Sequence, residues 1–180
     1  MVRPKAEAAK ALHMLRDTVL EVMIDMPIWA EAPVNDLREI PLGVLRKNAT
    51  QRHGVTRWKR GVNLDSMQVS DVEVIDLHPQ LLDPEWSAYA AFVLHHEYIH
   101  ALGFRPHDST FRALERAWPG RSAAKHAKEF TENLRRKRAV WLWLCTTCER
   151  TYPRQKPSKG RYRCRRCSTV LVDRPNAIQE

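Results

Sequence analysis

All four cysteines of the chain stand in two Cys-x-x-Cys pairs, Cys145/Cys148 and Cys164/Cys167, with 15 residues between the pairs. No other feature constrains the last part of the chain so strongly. In a reducing compartment this spacing favours a four-thiolate tetrahedral metal site over disulfides. Such a site fills every ligand position, so it folds its module and does no chemistry. A four-cysteine zinc ribbon is therefore expected over residues 141–180, entered by a strand from Ala139 to Leu144. Around the cysteines stand Arg150, Arg154, Lys156, Lys159, Arg161, Arg163, Arg165 and Arg166. Trp141, Trp143, Tyr152 and Tyr162 are interleaved with them. These rings can stack on bases or fill a very small core.

Charge divides the chain in the same place. Residues 1–110 hold 12 Lys and Arg against 15 Asp and Glu, whereas residues 111–180 hold 18 against 6. A mildly acidic front joined to a strongly basic back points to a polyanionic partner, most simply nucleic acid. Arg150, Lys156, Lys159, Arg161, Arg163, Arg165 and Arg166 are the candidate contacts, while a solvated basic surface is the plainer reading. No stretch reaches the roughly 18 apolar residues of a membrane span. The N-terminal residues lack an apolar signal core. These features lead us to expect a soluble, intracellular protein, cytoplasmic or nucleoid-associated (nuclear in a eukaryote), with no membrane partner.

The second motif is His96-Glu97-Tyr98-Ile99-His100. On a helix, residues four apart share a face, so both imidazoles can reach one metal ion while Glu97 borders them without ligating. His95 falls on another face. Asp83-Pro84-Glu85 predicts the start of that helix and Gly103 its end, near Leu102. His107, just past the turn that Gly103 allows, is the expected third ligand, with Asp108 and Glu115 as alternatives. Three protein ligands leave a fourth position open, the mark of a catalytic zinc site. Zinc acidifies a bound water and polarises a carbonyl, and Glu97 would take the proton of the attacking water and pass it to the leaving amine. Tyr98, Tyr89 and Arg105 are candidates for stabilising the oxyanion. His13, His53, His78 and His126 have no comparable context and read as structural or exposed.

Elsewhere, apolar spacing predicts an amphipathic helix over 4–26, buried through Leu12, Leu15, Val19, Val22 and Met26. Pro27, Pro33 and Pro41 then break the chain. Residues 43–63 read as a hairpin with an exposed basic face, or as a strand-binding surface around Arg57-Trp58-Lys59-Arg60. Val69–Leu77 reads as a strand. Helices are expected from Asp108 or Ser109 to Pro119, buried through Phe111, Leu114 and Trp118, and from near Ser122 through Arg138, burying Ala127, Phe130 and Leu134. The fold class is α+β: residues 1–140 carry the motif helix beside a small sheet, and 141–180 form the ribbon.

Together these residues resemble the SprT-like zinc metallopeptidases, whose eukaryotic members include the Spartan proteases. The likeness lies in Val74-Ile75-Asp76-Leu77-His78-Pro79, in Leu94-His95-His96-Glu97-Tyr98-Ile99-His100-Ala101, in His107-x-x-x-Phe111, and in the ribbon from Trp143-Leu144-Cys145 to Tyr162-Arg163-Cys164-Arg165-Arg166-Cys167. Only six residues separate His100 from His107, a spacing similar to that of the WLM predicted peptidases. The resemblance implies a zincin-like domain followed by a zinc ribbon, with one catalytic zinc ion in the first and one structural zinc ion in the second. His96, His100 and His107 would be the catalytic ligands, Glu97 the base, and the basic ribbon would engage DNA. It also implies cleavage of proteins crosslinked to DNA, with DNA, single-stranded or as a disrupted duplex, as trigger.

Overall fold

A computed structural model describes residues 4–63, 66–120 and 123–177 of the chain. It is an α+β fold divided into two compact units, Met1–Ala127 and Lys128–Glu180. Among the described residues, no helix is long and apolar enough to cross a membrane.

The first unit begins with helix α1, Ala6–Ile24. Its buried stripe is Leu12, Val19, Leu20 and Met23, while Leu15 and Val22 are half-buried and Met26 is buried just beyond the last turn. The prolines that follow do break the chain. Pro27–Trp29 and Val34–Glu39 are 3-10 turns, and strand β1 is only Leu42–Val44. Strands β2 (Gly54–Trp58) and β3 (Val72–Leu77) complete a sheet of order β1-β3-β2, with β1 parallel and β2 antiparallel to the centre. The hairpin expected within 43–63 therefore does not form there. The long apolar run in β3 (Val72, Val74, Ile75, Leu77) takes the central position because it is buried on both faces. The basic stretch supplies an edge strand that pairs on one side only. Arg57 of β2 donates to buried Asp76 of β3 at 2.7 Å, so part of its charge is spent within the sheet.

Helix α2 is Ser87–Ala101. It starts three residues later than the sequence suggests, because Pro84–Trp86 forms a 3-10 turn first. Ten of its fifteen residues are buried, which makes it the core of the unit. Gly103 ends it as expected: its φ of +99° lies in the left-handed region, and its amide donates to the His100 carbonyl. Helix α3, Ser109–Arg116, is capped by Asp108, whose carboxylate accepts from the Phe111 amide at 2.9 Å. It buries Phe111 and Leu114, and Trp118 is buried just beyond its end.

Helix α4 (His126–Arg138) crosses the boundary after Ala127, and the second unit continues with a sheet of order β5-β4-β6. Its strands are β4 (Trp141–Leu144), β5 (Thr151–Arg154) and β6 (Val172–Pro175). Phe130 and Leu134 of α4 are buried and Ala127 is half-buried, while the expected helix start at Ser122 lies outside the described residues. The buried amide of Asn176 donates to the Arg136 and Ala139 carbonyls and so ties the end of α4 to the residue after β6.

Candidate functional site

His96 and His100 leave α2 on one face, and the turn at Gly103 brings His107 to them. The three ring centroids lie 5.0 Å apart in every pair. One nitrogen from each ring lies within 4.8 Å of the other two, and the Nε2 atoms of His100 and His107 face each other at 3.1 Å. Nitrogens held about 2.1 Å from a tetrahedral metal lie about 3.4 Å apart, so this triangle fits one ion. Beneath it, fully buried Phe111 packs against all three rings at centroid distances of 4.9, 4.7 and 4.6 Å.

The remaining ring nitrogens are engaged in ways that fix the tautomers. His100 Nδ1 donates to the Phe104 carbonyl at 2.9 Å, and His96 Nδ1 to Glu115 Oε1 at 2.8 Å, leaving Nε2 lone pairs for the metal. Burial lowers the pKa of both histidines, that of His100 to about 4, so they present the neutral form that ligates. Glu115 also accepts from Arg112 at 2.8 Å. Burial raises its carboxyl, but the His96 and Arg112 hydrogen bonds outweigh this and hold it below the ordinary value. The structure thus gives the three alternatives for the third ligand different places. His107 joins the cluster, Asp108 is the cap of α3, and Glu115 orients His96 from behind.

Glu97 sits beside the histidines, only 4% exposed. Burial pushes its carboxyl up to about 7, against hydrogen bonding from Thr56. The Thr56 hydroxyl lies 2.8 Å from Glu97 Oε2 and 3.1 Å from the Glu97 carbonyl. Edge strand β2 therefore forms the wall opposite α2. Arg52, Gly54, Val55, Thr56 and Trp58 line the cleft together with His96, Glu97, His100, Arg105 and His107, around about 470 Å³. Of the three oxyanion candidates, only Arg105 borders this space. The Tyr89 hydroxyl is 2.6 Å from His53 Nδ1, and Tyr98 is fully buried. His95 is fully buried between Trp29 and Trp118, away from the cluster. His13 is exposed, His78 accepts from the Gln80 amide, and His126 meets the edge of Trp86.

Sequence reasoning does not find the places of Gly54 and Thr56 in the cleft or the orienting role of Glu115. For the first two a signal existed in the alternation of residues along a strand, but it becomes readable only once β2 is known to lie against α2. Glu115 lies one turn beyond Phe111 on α3, where the sequence offers it only as an alternative ligand.

The second unit holds the other metal-competent group. Cys145, Cys148, Cys164 and Cys167 converge within 4.8 Å, with Sγ separations of 3.4 Å (Cys145–Cys167), 3.6 Å (Cys148–Cys164) and 3.5 Å (Cys164–Cys167). Four thiolates at about 2.3 Å from one tetrahedral ion would be about 3.8 Å apart, so this donor set also fits. The two knuckles repeat one geometry. Glu149 and Ser168, each just after the second cysteine, have φ of +56°, and their amides donate to the carbonyls of Cys145 and Cys164 respectively, both at 2.9 Å. The Tyr152 hydroxyl beside Cys164 helps hold that thiol down to about 5. Trp143, Cys145, Cys164 and Leu171 form a buried cluster around the cysteines, with Trp141 and Tyr152 packed against them. Trp143 is thereby a core residue. Tyr162 stacks on it at 4.4 Å while remaining half exposed.

All seven candidate nucleic-acid contacts are exposed. Arg150 and Arg165 line a groove of about 780 Å³ with Lys128, Arg135 and Arg136 of α4 and Arg154 of β5. Glu132 and Glu149 are the acidic residues on its walls. Lys156, Lys159, Arg161, Arg163 and Arg166 lie outside it, and Arg163 donates to the Ser168 carbonyl. Compared with protein-family models, curated proteins and solved structures, the chain matches none of them.

Proposed function

We propose that the chain is a zinc-dependent endopeptidase of the SprT-like kind, acting on DNA-bound or DNA-crosslinked proteins. Its first unit would be a zincin-like catalytic domain and its cysteine module a zinc ribbon. The observation that carries this reading is the convergence of three imidazoles beside a buried carboxylate that is not a ligand. A site built only to hold a metal does not need Glu97. Zinc at the histidines would supply a Lewis acid that polarises a peptide carbonyl and acidifies water. Glu97 takes a proton from the attacking water and returns it to the leaving amine. Edge strand β2 lines the cleft, so an extended substrate can lie along it by strand addition. Arg105, also on the cleft, is placed to meet a developing oxyanion.

DNA as partner is supported by the groove of the second unit, where six cations face two carboxylates. The experiment is cleavage of a basic DNA-binding protein by the zinc-loaded chain, with and without single-stranded DNA, beside Glu97→Gln. Cleavage that needs DNA and is lost in the variant supports the full reading. Cleavage indifferent to DNA leaves a metallopeptidase without the DNA role. If wild type and variant are equally inert yet both bind DNA, the chain is a nucleic-acid-binding module instead.

A further inference from the structure

The two carboxylate oxygens of Glu97 have different surroundings. Oε2 lies 2.8 Å from the Thr56 hydroxyl, whereas Oε1 has no hydrogen-bond partner among the described residues. Oε1 faces Gly54, where an added Cβ would come within 2.6 Å of it. Gly54 and Thr56 are two residues apart on β2 and are held in register opposite Leu77 and Ile75 of β3. Strand alternation therefore sets a hydroxyl against one oxygen and an absent side chain against the other.

We infer that Thr56 is a positioning residue that anchors Oε2 of Glu97, leaving Oε1 as the oxygen that carries the proton; this rests on the hydrolytic reading above. A buried carboxylate with neither oxygen held has several rotamers open to it, and a misplacement near 1 Å costs about 100-fold in rate. Thr56 has one hydroxyl hydrogen and two acceptors within reach, Glu97 Oε2 and the Glu97 carbonyl at 3.1 Å. While Glu97 is ionised the hydrogen points to Oε2. When Oε1 holds the proton and Oε2 becomes a weaker acceptor, the same hydrogen can turn toward the carbonyl, so Thr56 stays docked on Glu97 in both states. The step balances. The water oxygen bonds to the peptide carbon as one of its protons moves to Oε1. The carbon–nitrogen bond then breaks as that proton moves to the amine, and Glu97 is ionised again.

The test compares Thr56→Val, which keeps the shape, with Thr56→Ser, which keeps the hydroxyl, in the full zinc-loaded chain. For Thr56→Val kcat falls about 10- to 100-fold with KM unchanged, because the lost contact touches the base and not the substrate. Thr56→Ser restores most of the rate. Zinc uptake, measured against a chelating dye, is equal in all three proteins. Crystal structures of the metal-free variants add a reading independent of activity: the Glu97 carboxylate leaves its position in Thr56→Val and keeps it in Thr56→Ser. An unmoved carboxylate or a wild-type kcat in Thr56→Val overturns the inference, and so does a serine variant no better than the valine one. If the wild type hydrolyses nothing, the hydrolytic reading fails by itself, while the crystallographic comparison still decides the anchoring.

Discussion

Replacing Glu115 by alanine removes the acceptor behind His96 without touching a ligand. The side chains involved are 15% (Glu115) and 21% (His96) exposed, and their 2.8 Å hydrogen bond is charge-assisted. Such a bond contributes about 1.5–3 kcal/mol net, and water entering at His96 replaces part of it. A loss of about 2 kcal/mol corresponds to about 30-fold weaker metal binding, inside the range of about 10- to 100-fold typical of groups that orient metal ligands. Arg112, which shares the carboxylate, loses its partner as well, but it is exposed and contributes little. Titration with cobalt(II) separates the two sites, because only the cysteine cluster gives thiolate charge-transfer bands and its ligand-field bands lie at longer wavelength than those of the histidines. The histidine site should weaken about 30-fold while the cysteine site keeps its affinity. Glu115→Gln, which retains an acceptor oxygen, should fall between wild type and alanine. Unchanged affinity at the histidine site would show that His96 is oriented by packing on Phe111 alone.

Gly54→Ala places a Cβ 2.6 Å from Glu97 Oε1 and 2.9 Å from Val93 Cγ1. The overpacking costs about 1–3 kcal/mol, seen as a lower Tm, and hydrolysis is lost while metal content stays at the wild-type level. A variant that keeps full activity would mean that Glu97 moves freely in the cleft. Stripping metal from the four cysteines with a strong chelator should collapse the amide resonances of residues 141–177, since Cys145 and Cys164 are two of the four residues in the buried cluster that this segment packs around. Retention of those resonances would assign the fold of the unit to Trp143 and Leu171 instead.

Both metal-competent groups were legible because each depends on local spacing. The i, i+4 relation of His96 and His100 and the two knuckles need no knowledge of tertiary structure. His107 was legible from a turn, since Gly103 is the residue that tolerates the left-handed φ there. Thr56 and Gly54 were hidden for the opposite reason. They lie about 40 residues from Glu97, and their role depends on β3 displacing β1 from β2, a pairing choice settled by burial across the whole sheet. The start of α2 was misplaced because Asp, Pro and Glu at 83–85 suit the first turn of a 3-10 segment as well as that of an α-helix. The roles of Trp141 and Trp143 stayed open because a ring beside cations looks the same in sequence whether it faces a base or a core. The structure places Trp143 inside.

Two of the three histidines belong to one helix, and the third hangs from a loop that ends at the cap of α3. Any fluctuation that lifts α3 therefore removes His107 and the Phe111 platform together, while His96 and His100 remain as a pair. Bound metal opposes only motions that separate its ligands, so its stabilisation falls on this opening and on any unfolding of α2 or of the whole unit, and not on fluctuations that leave the three histidines together. Metal occupancy then acts as a latch on α3. Protection of the 109–116 amides from hydrogen exchange should rise with free metal concentration, as should that of the amides in the middle of α2, whose unfolding scatters the same ligands, while the frayed first turn of α1 exchanges at a rate indifferent to it.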